Sequence, residues 1–310
     1  MVASGFFRLF GSSLITLRLL VAIEGILTIF ILYLIARVIG GPRLGLLAAC
    51  FLTIYPWGIV YHRIGFSYNQ LSLLLLISFA CAWKYSYAPK SSWGWLSAIS
   101  AGLAFTTDYL GIVAVAFVFV VFWIYYRQRF LWGCFLMTLT VILVNVPLII
   151  LDGVNFWEDL SFTLSRTDVP LSQQLINSLF NYYELARQES WFVVGILGLG
   201  LLENKRARAM TLFICGLTLV LVVRNLPPVG RNYHHLIQLF PYLALGVAAL
   251  MLRLLPEVVS IIRLALDILT APLLKVIPSN FPSTPLKLIR STSVAAIVVF
   301  FVLLTFMKIG

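Results

Sequence analysis

Residues 17–69 read LRLLVAIEGILTIFILYLIARVIGGPRLGLLAACFLTIYPWGIVYHRIGFSYN, and the fold turns on how this stretch is taken. Leu17 to Val38 is one apolar run, long enough as a helix to cross about 30 Å of hydrocarbon. It ends at a basic, glycine-rich corner, Ala36-Arg37-Val38-Ile39-Gly40-Gly41-Pro42-Arg43. A second apolar run returns, broken by Tyr55-Pro56-Trp57, and delivers Tyr61-His62-Arg63-Ile64-Gly65-Phe66-Ser67-Tyr68-Asn69 to the opposite face. Two coupled spans that present an arginine at one membrane face set the pattern for the rest.

Composition agrees with a membrane setting. Of 310 residues, 61% are hydrophobic and only 11% charged, and mean hydropathy is +1.01. Soluble chains carry about 25% charge. Unpaired backbone groups are costly in lipid, so repeated apolar stretches of this length mean helices rather than strands. The expected class is all-α: a polytopic membrane protein forming a single transmembrane domain over 1–310. About ten spans are expected, near 14–38, 44–61, 67–88, 93–106, 109–126, 130–151, 190–202, 209–223, 235–252 and 291–308.

The loops supply orientation. Arg37, Arg43, Lys84, Lys90, Arg127, Arg129, Lys205, Arg206 and Arg208 fall on one side of this arrangement, as do Arg253, Arg263, Lys275, Lys287 and Arg290. By the positive-inside rule that side is the cytoplasm. Asp108, Asp152, Glu158, Asp159, Asp168, Glu184 and Glu189 fall on the other, and the N-terminus is expected there too. The net charge of +11 is thus spread over short loops and implies no nucleic-acid partner; the expected location is a cell inner or plasma membrane. Cys50, Cys81, Cys134 and Cys215 lie inside apolar stretches without paired spacing, as packing residues do.

Two stretches are not read as spans. Residues 153–189 mix charges with Trp157, Phe162, Tyr182 and Tyr183, which predicts an external segment of helices lying at the membrane surface. In 256–277, Glu257, Ser260, Arg263, Asp267 and Thr270 recur every three or four positions, a narrow polar stripe that predicts an in-plane cytoplasmic helix.

Polar groups gather at the face assigned as external. They are His62, Arg63, Ser67, Tyr68 and Asn69; the turn Thr106-Thr107-Asp108-Tyr109; and the run from Arg224 through Arg231-Asn232-Tyr233-His234-His235. Arginine offers a planar fork of donors suited to phosphate or carboxylate. Arg63, Arg224 and Arg231 oppose the positive-inside bias, and together they favour a site for an anionic headgroup; each alone is somewhat better explained by pairing with an external acid or by touching lipid headgroups. His62, His234, His235 and Asp108 lack metal-site spacing. Glu24, inside the first span, reads as a buried carboxyl bonded to a neighbouring helix. No phosphate-binding glycine loop or dinucleotide turn is present.

The run from Leu17 through Arg37, followed by Gly40-Gly41-Pro42-Arg43, resembles the C-type membrane glycosyltransferases, in the branch of the protein O-mannosyltransferases and bacterial aminoarabinose transferases. In that branch a span ending in arginine is followed by Gly-Pro-Arg, a small-residue-rich span with a central proline, and an external Ser-Arg-Ile, here replaced by Tyr61-His62-Arg63-Ile64. The turn from Gly102 to Asp108 is similar to the family's broken helix pair, and Arg231-Asn232-Tyr233 through Pro241-Tyr242-Leu243 to its late Arg-Tyr…Pro span. The resemblance implies sugar transfer from a polyprenyl-phosphate donor to a lipid, glycan or protein acceptor on the external face, without a further cofactor. It implies that Arg63 and Arg231 bind the donor phosphate, with His62, Asn69, Arg224, Tyr233, His234 and His235 around it. Family members carry an earlier span and an acidic external loop ahead of the position matched by Leu17. This chain starts where the second span would start, so either it is an N-terminally incomplete version or the base has moved; Asp108 stands as a substitute base or as a structural partner for Arg63. Two other readings stay open: a transporter or flippase of lipid-linked sugar, and an inactive or truncated glycosyltransferase-like subunit.

Overall fold

The computed structural model describes residues 2–65, 67–88, 92–165, 171–225 and 233–274, and among them every regular element is helical. Contacts divide the chain into two units, 1–249 and 250–310. The first unit opens with a short α1 (Val2–Phe10) and a long α2 (Leu14–Gly40). Ser13 caps α2 by accepting the Thr16 N–H at 3.1 Å, which satisfies one of the four free donors of the first turn.

The corner after α2 is built as its residues dictate. Gly41 has φ +91°, a region that favours glycine, and its N–H donates to the Arg37 carbonyl at 2.9 Å. Pro42 then begins α3 (Pro42–Ile54), where its missing N–H costs nothing. Where α3 returns along α2, a Cβ on Gly45 would sit 2.9 Å from the Tyr33 carbonyl oxygen, so only glycine permits this approach. Tyr55 is extended (φ −65°, ψ 117°), as the residue before a proline prefers, and Pro56 starts a separate α4 (Pro56–Tyr61). The expected second span is therefore two helices with a corner at Tyr55.

The next helices are α5 (Ser67–Tyr85), α6 (Trp93–Thr107), α7 (Ile112–Tyr125) and α8 (Phe130–Ser165). Small residues hold them together. Ser78 and Ser97 each donate to the other's backbone carbonyl, at 3.3 and 3.2 Å, while Ala98 and Ala101 are fully buried. Gly102 lies where a Cβ would meet Thr140 of α8 at 2.8 Å. Between α6 and α7 the helix breaks at Asp108, and a Cβ on Gly111 would collide with the Ala104 carbonyl.

Four more helices follow: α9 (Leu171–Gln188), α10 (Ser190–Gly200), α11 (Lys205–Asn225) and α12 (Phe240–Leu274), the last preceded by a 3₁₀ segment, Tyr233–Leu239. Residues 236–249 are buried, and the Tyr242 hydroxyl donates to the Leu75 carbonyl of α5 at 3.2 Å.

Two helices are longer than the expected spans. α8 has 36 residues, about 54 Å at 1.5 Å per residue, and carries the span of 130–151 onward to Ser165. α12 passes Pro256 without a break, so the stretch 256–274 is its later part rather than a helix that starts afresh. Residues 275–277 and the expected span at 291–308 lie outside the described residues.

Leu14–Gly40, Arg127–Pro147 and His234–Glu257 are each long and apolar enough to cross a membrane. Ile15 (79% exposed), Leu131 (77%) and Ile150 (76%) point outward from these helices or their neighbours. A continuous apolar exterior of this kind is stable only with lipid as its solvent, and the chain is an integral membrane protein.

Candidate functional site

The topology sends the polar residues to one end of the bundle. α4 and α6 finish there, and α5 and α7 begin there. The turn from His62 to Phe66 is fastened by Asn69, whose amide donates to the carbonyls of Tyr61 (3.0 Å) and Ile64 (2.9 Å). Asn69 is 1% exposed, and with its amide hydrogens spent on the backbone it shapes the turn from beneath. Its Oδ1 is buried and has no partner among the described residues.

His62 turns away from the other histidines. Its Nδ1 donates to the Gly58 carbonyl at 2.7 Å, and its ring rests on α2, where a Cβ on Gly25 would lie 2.8 Å from the imidazole. Arg63 is exposed and forms no ion pair among the described residues. Together His62 and Arg63 close one end of a groove of about 220 Å³ whose walls are Ala22, Ile26, Ile29, Leu52 and Ile59. The groove is apolar along its length and basic at its mouth.

Tyr68 is the second centre. Its ring lies 5.5 Å from that of His234 and 4.9 Å from that of His235, and the two imidazoles lie 4.1 Å apart. Asp108 approaches from α6. Its Oδ1 accepts the Leu110 N–H at 2.9 Å, and Tyr68 and Ser67 donate to the same carboxylate. Burial pushes the Asp108 carboxyl above its ordinary value, and the Leu110, Tyr68 and Ser67 donors offset part of that rise. The structure thus joins Asp108, His234 and His235 through Tyr68, and places His62 and Arg63 across α4.

Three expected residues sit at or beyond the edge of what is described. Arg224 belongs to the end of α11 and Tyr233 starts the 3₁₀ segment, with only their backbones placed. Arg231 lies outside the described residues. Among the described residues no group of three His, Cys, Asp or Glu side chains gathers as a metal site would require.

Neither Glu189 nor Gln238 stood out in the sequence, and the fold brings the first of them to the site. Glu189, 7% exposed, accepts the Trp57 indole N–H at 2.6 Å, and Trp57 stacks on Tyr61 at 5.7 Å. Burial raises the Glu189 carboxyl, and the indole donor pulls it back in part. In sequence it was one external acid among seven; only the fold brings it to α4. Gln238 is fully buried, and neither its Nε2 nor its Oε1 has a partner among the described residues. A glutamine inside an apolar run, three residues after a histidine pair, is the signal that could have marked it.

Residues 1–151 match the sequence family described as dolichyl-phosphate-mannose-protein mannosyltransferase. No curated protein matches the chain. Among solved structures it is similar to ArnT from Cupriavidus metallidurans bound to undecaprenyl phosphate, with 16% identity and a TM-score of 0.55. That match covers 91% of this chain and 56% of ArnT. The apo state of the same protein matches with 17% identity and a TM-score of 0.57, over 91% of this chain and 55% of that one. The chain therefore spans just over half the length of the protein whose fold it shares.

Proposed function

The chain has the C-type membrane glycosyltransferase fold, and from that premise we propose that it transfers a sugar from a polyprenyl-phosphate donor to a hydroxyl-bearing acceptor at the outer face of a cell membrane. One observation carries the reading: an apolar groove in the membrane-embedded wall ends at the exposed guanidinium of Arg63. A polyprenyl phosphate has that same polarity, a long hydrocarbon with a dianionic head. The groove walls take the hydrocarbon, and the planar fork of Arg63 takes phosphate oxygens. ArnT, described with undecaprenyl phosphate, supports this choice of donor class.

The chemistry asked of the protein is modest. The acceptor oxygen attacks the anomeric carbon, a new glycosidic C–O bond forms, and the bond from that carbon to the phosphate oxygen breaks. The proton leaves the acceptor hydroxyl for a carboxylate, and the electron pair of the broken bond goes to the departing phosphate. Asp108 is the carboxylate assigned to the proton, because Tyr68, Ser67 and the Leu110 N–H hold it in place and burial makes it more basic. Arg63 stabilises charge growing on the phosphate. His234, whose ring lies 5.5 Å from that of Tyr68, adjoins the same space. Arg224, Arg231, Tyr233 and His235 are assigned to the same anionic head. This reading assigns no cofactor: the sugar–phosphate bond itself supplies the leaving group.

The acceptor is a lipid, glycan or protein in contact with the outer face. The positive-inside rule supports that orientation, since Arg37, Lys84 and Arg127 lie at the end opposite Arg63. Binding of undecaprenyl phosphate to the purified protein tests the assignment. Replacing Arg63 with Gln removes a charged hydrogen-bond donor and is expected to weaken binding about tenfold. Unchanged affinity would mean that the groove is not where the phosphate sits.

A further inference from the structure

The end of the bundle opposite the site holds a second cavity, of about 320 Å³, enclosed by the close of α5 and α7 and the starts of α6 and α8. Its rim is aromatic: Trp95 and Trp132 are 43% and 58% exposed, with ring centroids 6.2 Å apart. Leu136 and Phe122 form the apolar interior. Arg129 stands at the mouth, donating to the hydroxyl of buried Tyr85, and among the described residues none that lines the cavity is acidic. α5 runs from Ser67 to Tyr85, which separates this cavity from Tyr68 by about 25 Å.

The surroundings give the cavity its chemistry. Lys84 lies over the Trp93 ring at 3.9 Å, Arg127 over Trp123 at 5.0 Å, and Arg206 over Tyr87 at 4.4 Å. Cations stacked on aromatic rings at a helix-bundle end form the belt found where hydrocarbon meets headgroups. In that belt Lys84, Arg127 and Arg206 already lie over a ring. Arg129 instead holds the mouth of the cavity, with a hydrogen bond to a neutral phenol and no carboxylate partner among the described residues.

We propose that this cavity binds one anionic phospholipid of the adjoining leaflet, with its phosphate on Arg129 and the start of an acyl chain between Trp95, Trp132 and Leu136. Charge complementarity selects the occupant: a cationic mouth without a countercharge, above an interior too apolar for a free anion. Such a lipid would join α5, α6 and α8 at this end, and it is separate from the donor groove on α2–α4.

Native mass spectrometry of the purified protein, titrated with phosphatidylglycerol and with phosphatidylcholine of equal chain length, tests the assignment. The parent is expected to retain phosphatidylglycerol preferentially. Arg129→Gln should reduce that retention about fivefold, the worth of one cation near a membrane surface, and Arg129→Lys should keep most of it. Leu136→Phe fills the interior and leaves every charge in place, so it should also reduce retention. A second readout is the rise in melting temperature on adding phosphatidylglycerol, which Arg129→Gln and Leu136→Phe should diminish. Equal retention of both lipids by the parent would overturn the proposal. So would undiminished binding by Leu136→Phe, which would indicate surface charge alone, and so would displacement of the lipid by millimolar inorganic phosphate.

Discussion

Asp108 and Gln238 show how single residues report on the site. Burial raises the Asp108 carboxyl above its ordinary value of 3.8. As the proposed proton acceptor it must be ionised, so transfer should fall as pH drops through that raised pKa, and the acid limb of the rate profile should lie above 3.8. The same shift acts on stability with the opposite sense. A folded-state pKa above the unfolded one means that the folded chain holds the proton longer. The contribution to stability is then full below the unfolded pKa and is lost as pH rises through the folded one. Asp108→Asn should remove both effects, abolishing the acid limb together with the activity. Gln238 poses a different test, since a fully buried amide without partners among the described residues costs about 1–3 kcal/mol. Gln238→Met is expected to raise the melting temperature; a lower melting temperature would show that the amide is paired after all. Of these residues only Asp108 was legible in the sequence, because an acid in a polar turn between two apolar runs stands out. Glu189 did not, since its partner Trp57 is 132 positions away.

Glycines and prolines made the elements easiest to read. Gly41-Pro42 marks a helix end and a helix start, and both are where their torsions require. The break before Pro56 follows from the same chemistry. Harder to foresee were α8 and α12, because an apolar helix that leaves the hydrocarbon and goes on as an amphipathic one keeps the same period throughout. Period alone marks neither the point of exit nor a separate helix. Between α6 and α7 a prediction belongs at this scale. Gly111 has ordinary helical torsion, so its role is space: a Cβ would strike the Ala104 carbonyl. Gly111→Ala should push α7 away from α6, at a cost of about 1–3 kcal/mol from overpacking. Because Asp108 bridges the two helices, transfer should fall more than binding of undecaprenyl phosphate does. Equal loss of both would place the effect in global unfolding.

At the scale of the whole molecule, the two ends of the first unit divide the work. One end gathers Arg63, Tyr68, Asp108, His234 and His235; the other gathers cations over aromatic rings. Charge bias along the sequence anticipated the cationic end, while Arg63 at the other end runs against it. It was not enough to foresee that His62 and Arg63 face a groove on α2 while Asp108 faces Tyr68. The central claim is that these two places act on one substrate, the phosphate of the donor at Arg63 and the acceptor proton at Asp108. The most direct measurement uses the protein in liposomes with a polyprenyl-phosphate donor carrying a labelled sugar and, as acceptor, membranes of the source cell. Release of free polyprenyl phosphate is followed for the parent, Arg63→Gln and Asp108→Asn. Sugar-dependent release by the parent, reduced at least about 100-fold in Asp108→Asn and weakened through donor binding in Arg63→Gln, is the predicted result. Release at the parent's rate by both variants would contradict the account.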